Sequence, residues 1–372
     1  MKENAYSSVT VQQDALTRIL ANLVSVSTRK STIAYLSHVR VRFTGTSVEL
    51  TTTDNELSLT DSLLGIEGVI DAVISVDAFR LYEIVKRLPT DVGVVLSIEK
   101  NNLVVRSRRI EFSLPYLDAK HFPLISEEEK IGQINFAVDE IRSLFNKVRF
   151  ATSTESTRQH LNGVYFESDG EKITVAATDV HRLAVATLMK KTGLKFSCII
   201  PKKTVLEMIK LSSGKEVELF LHGREYVSRI KMVFGGVRLN SKLIAGTFPN
   251  FAAVIPHSFK SSLTFDRKAL ATSIERVGLV SPDQSRAISI GIKGKQLYLD
   301  ASNSDASFGR ESLELNEDIG EEISIYFNHI YLLDILLALD NKEVTMKFNN
   351  ATSQVLFQGD ESALYVVMPM AF

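Results

Sequence analysis

The chain has 372 residues, with 43 Lys and Arg against 44 Asp and Glu, 45% apolar residues, one cysteine and no tryptophan. That length exceeds one ordinary core, so two or three domains are expected, and the apolar content excludes a disordered or collagen-like chain. Balanced charge excludes a wholly basic nucleic-acid binder, and no apolar run reaches the ~18 residues of a membrane span. The N-terminus has no apolar signal core and lone Cys198 has no intrachain partner, so a soluble, cytoplasmic protein is expected.

In chain order, Val9-Thr10-Val11 precedes a helical pattern over 14–26. Val73-Ile74-Ser75-Val76 precedes a second over 76–88, stopped by Pro89 and followed by the strand Val94-Val95-Leu96-Ser97-Ile98. The same order then recurs. Ile134-Asn135-Phe136 leads into 138–150 and Cys198-Ile199-Ile200 into 201–211, while Leu263-Thr264-Phe265 leads into 266–279 and Ile323-Ser324-Ile325-Tyr326-Phe327 into 328–339. Apolar spacing of three and four residues, as at Leu206, Ile209 and Leu211, supports the helices, with Asp14 and Asn328 as expected caps. Alternation such as Leu297-Tyr298-Leu299 marks strands. The first-half strands of each third end alike, in Thr51-Thr52-Thr53-Asp54-Asn55, Ala177-Thr178-Asp179 and Ala301-Ser302-Asn303-Ser304-Asp305. Three similar domains are therefore expected over 1–127, 128–257 and 258–372. Each should be α+β, two helices against antiparallel sheets.

The helical segments carry more Lys and Arg than Asp and Glu, and the remainder of the chain is acidic. That split fits a solvated helix face and a nucleic-acid surface equally. Chemistry-bearing motifs are missing: no Gly-rich phosphate loop, nucleophile elbow, His-Glu-x-x-His or Cys pair occurs, and the histidines lack ligand spacing. No metal or other cofactor is expected. Asp179-Val180-His181-Arg182 has the residue types of an acid/base pair, but no nucleophile motif accompanies them.

Four segments carry a family likeness: Leu161-Asn162-Gly163-Val164-Tyr165-Phe166-Glu167, Ala177-Thr178-Asp179-Val180-His181-Arg182-Leu183-Ala184, Ser241 to Phe251, and Tyr365-Val366-Val367-Met368-Pro369-Met370. In these, and in length and motif order, the chain resembles the bacterial DNA polymerase III β subunit, the sliding clamp. The resemblance implies a non-catalytic processivity factor: a head-to-tail homodimeric ring with helices lining a hole around duplex DNA. It also implies a docking hub for the clamp loader, replicative and translesion polymerases, mismatch-repair proteins and other clamp-motif proteins.

Residue by residue, the resemblance places basic side chains near DNA at Arg29, Arg80, Lys86, Arg87, Arg142, Lys147, Arg149, Arg158, Lys202, Lys203 and Lys210. Attraction of this kind is sequence-independent and salt-sensitive, as sliding requires. Gln159 and His160 stand where an aromatic pair often follows Arg158. The implied peptide groove comprises Leu161, Thr178, Val180, His181, Arg182, Leu183, Pro249, Ala253, Val254, Val366, Val367, Met368, Pro369 and Met370, an apolar surface with adaptable methionines. As residues alone, the C-terminal valines and methionines read more readily as core than as a groove. Three positions depart from the family: Val180 replaces a usual Gly, Ala253 a frequent Arg, and Ala371 a common penultimate Arg. These departures keep open a divergent clamp copy acting with one dedicated partner. Ring closure is expected through Arg109, Phe112 and Leu114 against Leu279 and Val280, with Glu111 standing where a basic residue is common.

Overall fold

The structure, a computed structural model, describes residues 8–68, 70–126, 128–211, 214–315, 318, 320 and 322–371. Its α-helices fall where the apolar periodicity puts them: α1 Gln13–Val26, α2 Ala78–Val85, α3 Val138–Asn146, α4 Lys202–Leu211, α5 Arg267–Gly278 and α6 His329–Ala338. Their beginnings follow local chemistry. Asp77, Asp266 and Asn328 are N-caps whose side chains accept from the backbone N–H of Arg80, Ala269 and Ile330. Asp14 is not a cap. The helix starts earlier, at Gln13, whose buried side chain donates to the Val85 carbonyl at 2.7 Å and ties α1 to α2, so Asp14 becomes a first-turn acid.

The expected helix over 76–88 is shorter because Asp77 caps it, and the one over 138–150 ends at Asn146 before a 3-10 turn, Arg149–Ala151. In α4 the buried side is Val205, Met208 and Leu211. Leu206, expected on the apolar face, is 40% exposed, because the i, i+3 stripe that turns inward starts one residue earlier.

The chain folds as two compact units. The first joins the described residues of 1–138 and 210–243, and the second those of 139–209 and 244–372. In the first unit a 13-stranded antiparallel sheet carries α1 packed on α2. Its continuity comes from pairing of Leu57–Leu64 with Val237–Lys242, in register Leu57 with Ser241 and Ser58 with Asn240. The second unit holds an eight-stranded and a four-stranded antiparallel sheet, with α5 packed on α6. Here Arg182–Met189 pairs with Ala363–Val367, Arg182 opposite Val367 and Leu183 opposite Val366. Strands from different thirds of the sequence are thus zipped by backbone hydrogen bonds, and the candidate site lies at the second of these zips.

Beneath that zip is a core of Leu161, Ala176, Leu183, Val185, Ile199, Phe248, Leu356 and Val366. Phe248 stacks on Tyr165 at 5.0 Å between centroids, and Phe251 meets both rings edge-on. Gly163 is obligatory at its place: an added Cβ would come within 2.5 Å of the Ile200 carbonyl oxygen and 2.8 Å of Ile199 Cγ2.

Candidate functional site

A narrow, largely apolar cavity of about 180 Å³ opens beside the zip between Arg182–Met189 and Ala363–Val367. It unites four regions of sequence: Leu161; the turn Thr178, Val180, His181, Arg182 and Leu183; Pro249 and Val254; and Val366 with Met368. Leu161, Leu183 and Val366 form its buried floor, while Val180, Val254 and Met368 are exposed at its surface. Phe251 also lines it and was missed as a groove residue, although it closes the Ser241–Phe251 segment. Ala253, Val367, Pro369 and Met370 do not line the cavity. Ala253 is exposed, Val367 is fully buried opposite Arg182, and Met370 N–H donates to the Tyr326 carbonyl.

The turn at the cavity's edge is over-determined. Asp179 Oδ1 accepts from the backbone N–H groups of His181 and Arg182 at 3.1 and 3.0 Å, and Thr178 Oγ1 donates to the Arg182 carbonyl at 2.7 Å. Val180, the residue at the tip, has φ +80°. The Arg182 guanidinium is a hub: Nε donates to Asp179 Oδ2 at 3.0 Å, Nη1 to Asp334 Oδ2 at 2.6 Å and Nη2 to the Phe150 carbonyl at 2.9 Å. It also lies 4.3 Å from the ring centroid of Tyr331 and 5.1 Å from that of Phe150. Burial, then the nearby Asp179 charge, push the Tyr331 hydroxyl above its ordinary range.

This arrangement removes the acid/base reading of Asp179 and His181. Both Asp179 oxygens are engaged by the turn and by Arg182, and the His181 ring stacks on Tyr331 instead. Among the described residues no group of His, Cys, Asp and Glu could hold a metal ion.

The basic residues fall in several places. Arg142, Lys147 and Arg149 line a cavity of about 610 Å³ with Asp139, Asp334 and Asp340, a mixed rather than purely positive surface. Lys147 donates to Ser362 Oγ at 2.7 Å and Arg149 to Asn146 Oδ1 at 2.8 Å. Lys202 and Lys203 open α4, and Lys210 lines a separate cavity with Arg18, Asn22 and Asp61. Exposed Arg29 lies 5.0 Å over the Phe79 ring, Lys86 lies 5.5 Å over Tyr82, and Arg158 is 4.0 Å from Glu155. Arg80 and Arg87 instead join Ile110 and Phe112 around a cavity of about 370 Å³, where Arg87 pairs with Glu83 and holds that carboxyl below its ordinary range.

Of the residues expected at ring closure, Arg109 and Phe112 are exposed, Phe112 to 41%, whereas Leu114 is buried at 7%. Leu279, at the end of α5, is 84% exposed, with Val280 half-buried beside it.

Family models for the DNA polymerase III beta subunit match in succession: the N-terminal domain over residues 7–126, the central domain over 135–250 and the C-terminal domain over 252–371. The chain belongs to the DNA polymerase III beta subunit family, the beta sliding clamps. The Caulobacter vibrioides beta sliding clamp is 32% identical over 97% of this chain and 99% of its own length. The Pseudomonas aeruginosa beta sliding clamp is 30% identical over 97% and 99%. A crystal structure of the Pseudomonas aeruginosa DnaN sliding clamp bound to griselimycin superposes with a TM-score of 0.92 at 28% identity, covering 99% of this chain and all of that one. The Caulobacter crescentus pol III beta structure gives 0.91 at 32%, over 98% and 100%. The beta clamp fold of three similar α+β domains is thereby shown. A sliding clamp is a non-catalytic processivity subunit of the polymerase, in keeping with the engaged Asp179 carboxylate.

Proposed function

We propose that two copies of this chain close head to tail into a ring around duplex DNA and tether the replicative polymerase. On this reading the three domains are 1–127, 128–257 and 258–372, and the ring works in the cytoplasm. The exposed Leu279 supplies an apolar knob, and the cavity walled by Ile84, Leu88, Ile110 and Phe112 supplies a hole of matching character. Arg29, Lys86, Arg142, Lys147, Arg149, Arg158, Lys202, Lys203 and Lys210 then give sequence-blind attraction to phosphates, which weakens with salt and leaves the ring free to slide.

The observation that carries the docking half is the cavity beside Leu183 and Val366. It is apolar, open and bordered by adaptable Met368, the surface an extended peptide with Gln, Leu and Phe side chains would cover. The clamp loader, translesion polymerases and mismatch-repair proteins would share it. Two buried anchors, at about 1.5–3 kcal/mol each, supply at most about 6 kcal/mol before the cost of ordering the peptide, so the roughly micromolar binding expected, about 8 kcal/mol, also needs the peptide's Gln and backbone contacts.

Light scattering tests ring closure: a species of twice the chain mass is expected at micromolar concentration, and Phe112→Ala shifts it toward monomer. A persistent monomer contradicts the ring. Clamp loaded on circular DNA is expected to stay and to run off linear ends, and equal loss from both contradicts encirclement.

A further inference from the structure

The turn that carries Val180 is built twice in this chain. In the first third, Thr53 Oγ1 donates to the Leu57 carbonyl at 2.9 Å and accepts from Asn55 N–H at 3.1 Å, while Asp54 Oδ1 accepts from Glu56 and Leu57 N–H at 3.0 and 2.7 Å. In the middle third, Thr178 Oγ1 donates to the Arg182 carbonyl at 2.7 Å and accepts from Val180 N–H at 3.1 Å, while Asp179 Oδ1 accepts from His181 and Arg182 N–H. The tip residue is left-handed in both, φ +78° at Asn55 and +80° at Val180.

Asparagine adopts that backbone readily, whereas a β-branched side chain is crowded by its own backbone there. The first turn shows that this geometry does not require valine. The second accepts the strain at the residue whose side chain borders the docking cavity and is 51% exposed. Exposure removes core packing as the reason for the valine, which leaves its effect on the cavity.

We propose that Val180 is a specificity-determining residue of the docking groove: its isopropyl group narrows the rim, so that the groove favours a flexible aliphatic side chain over a phenyl ring. The assignment rests on the peptide-docking reading. The side chain cannot swing aside, because the backbone is held by the turn's hydrogen bonds and a β-branched χ1 is stiff. A leucine or methionine can adapt its rotamer to a narrowed entry, whereas a planar ring cannot.

The test separates bulk from strain. Two peptides identical except for Leu or Phe at the last apolar position are titrated calorimetrically into full-length wild type and into V180G, V180A and V180N. Wild type is expected to favour the Leu peptide about tenfold, in the range that a methyl-sized difference in a pocket produces. V180G and V180A bring the ratio to near unity, chiefly by tightening the Phe peptide. V180N, smaller, unbranched at Cβ and at ease in left-handed backbone, keeps at most part of the preference, because its side chain can swing clear of the rim. Thermal midpoints split differently: V180N and V180G rise by about 2 °C and V180A does not. A wild-type ratio shared by all variants, or a wild-type preference for Phe, overturns the assignment while leaving docking intact. If no protein binds either peptide, the docking reading fails and this assignment with it.

Discussion

Two sheet junctions in this chain share a backbone and differ in side chains. At the first, Leu57 and Ser58 pair with Ser241 and Asn240, and Lys242 N–H donates to the Glu56 carbonyl at 2.9 Å. At the second, Arg182 and Leu183 pair with Val367 and Val366, and Met368 N–H donates to the His181 carbonyl at 2.9 Å. The first is closed by an ion pair, Lys242 Nζ to Glu56 Oε1 at 3.0 Å. The second puts His181 and Met368 at those places and has an apolar cavity there. Backbone pairing joins the thirds of the chain in both. Side-chain polarity alone decides that one junction is finished by its own charges and the other leaves an apolar surface open.

The largest way to break this contrast is at Arg182, whose counterpart in the first junction is Leu57. Its side chain is 9% exposed and pairs with Asp179 and Asp334. Arg182→Ala strands the partly buried Asp179 and is expected to cost about 3–5 kcal/mol in denaturant unfolding. A loss under 1 kcal/mol would show that the hub is dispensable. Next comes Leu183→Ala in the cavity floor, expected to cost about 2–5 kcal/mol, against near neutrality for Ser58→Ala at the matching place.

A smaller effect is expected from Glu56→His with Lys242→Met, which gives the first junction the side chains of the second. The pair is 68% and 39% exposed, so stability should change by less than about 1 kcal/mol. No second peptide site should appear, because Ser58, Asn240 and Ser241 still supply a polar floor. The smallest effect concerns Cys198, on the strand Lys195–Pro201 that borders the second junction's sheet. Burial pushes its thiol up to about 12, so it should resist alkylation at neutral pH until the protein unfolds. Rapid native labelling, read by mass spectrometry, would show that this sheet opens.

The helices were legible because a 3.6-residue apolar period and the Asn328 cap act locally, whereas Asp14, expected as a cap, lies one residue inside its helix. The four motifs were legible, and one cavity gathers residues from each. What stayed hidden is non-local. Nothing in Leu57–Leu64 announces pairing with Val237–Lys242, because backbone hydrogen bonds carry no side-chain signature and one of these partners is polar. Val180 reads locally as a strand former, and only the match between Thr53-Asp54-Asn55 and Thr178-Asp179-Val180 points to a left-handed tip. Charge alone could not separate Lys86, over the Tyr82 ring, from Arg87, paired with Glu83 beside Phe112. Leu114 is buried while Phe112, two residues earlier and so on the same face of its strand, remains 41% exposed, a difference that period-two alternation cannot reveal.

The central claim is that an apolar second junction, and not the first, is the docking site. His181→Glu with Met368→Lys rebuilds the first junction's ion pair at the second, on a backbone already shown to accept it. Calorimetric titration of a peptide carrying Gln, Leu and Phe into wild type and this double variant tests the claim most directly. One site per chain with roughly micromolar affinity is predicted for wild type, with at least about a tenfold loss in the variant. Unchanged affinity in the variant, or two equal sites per chain in wild type, would contradict it.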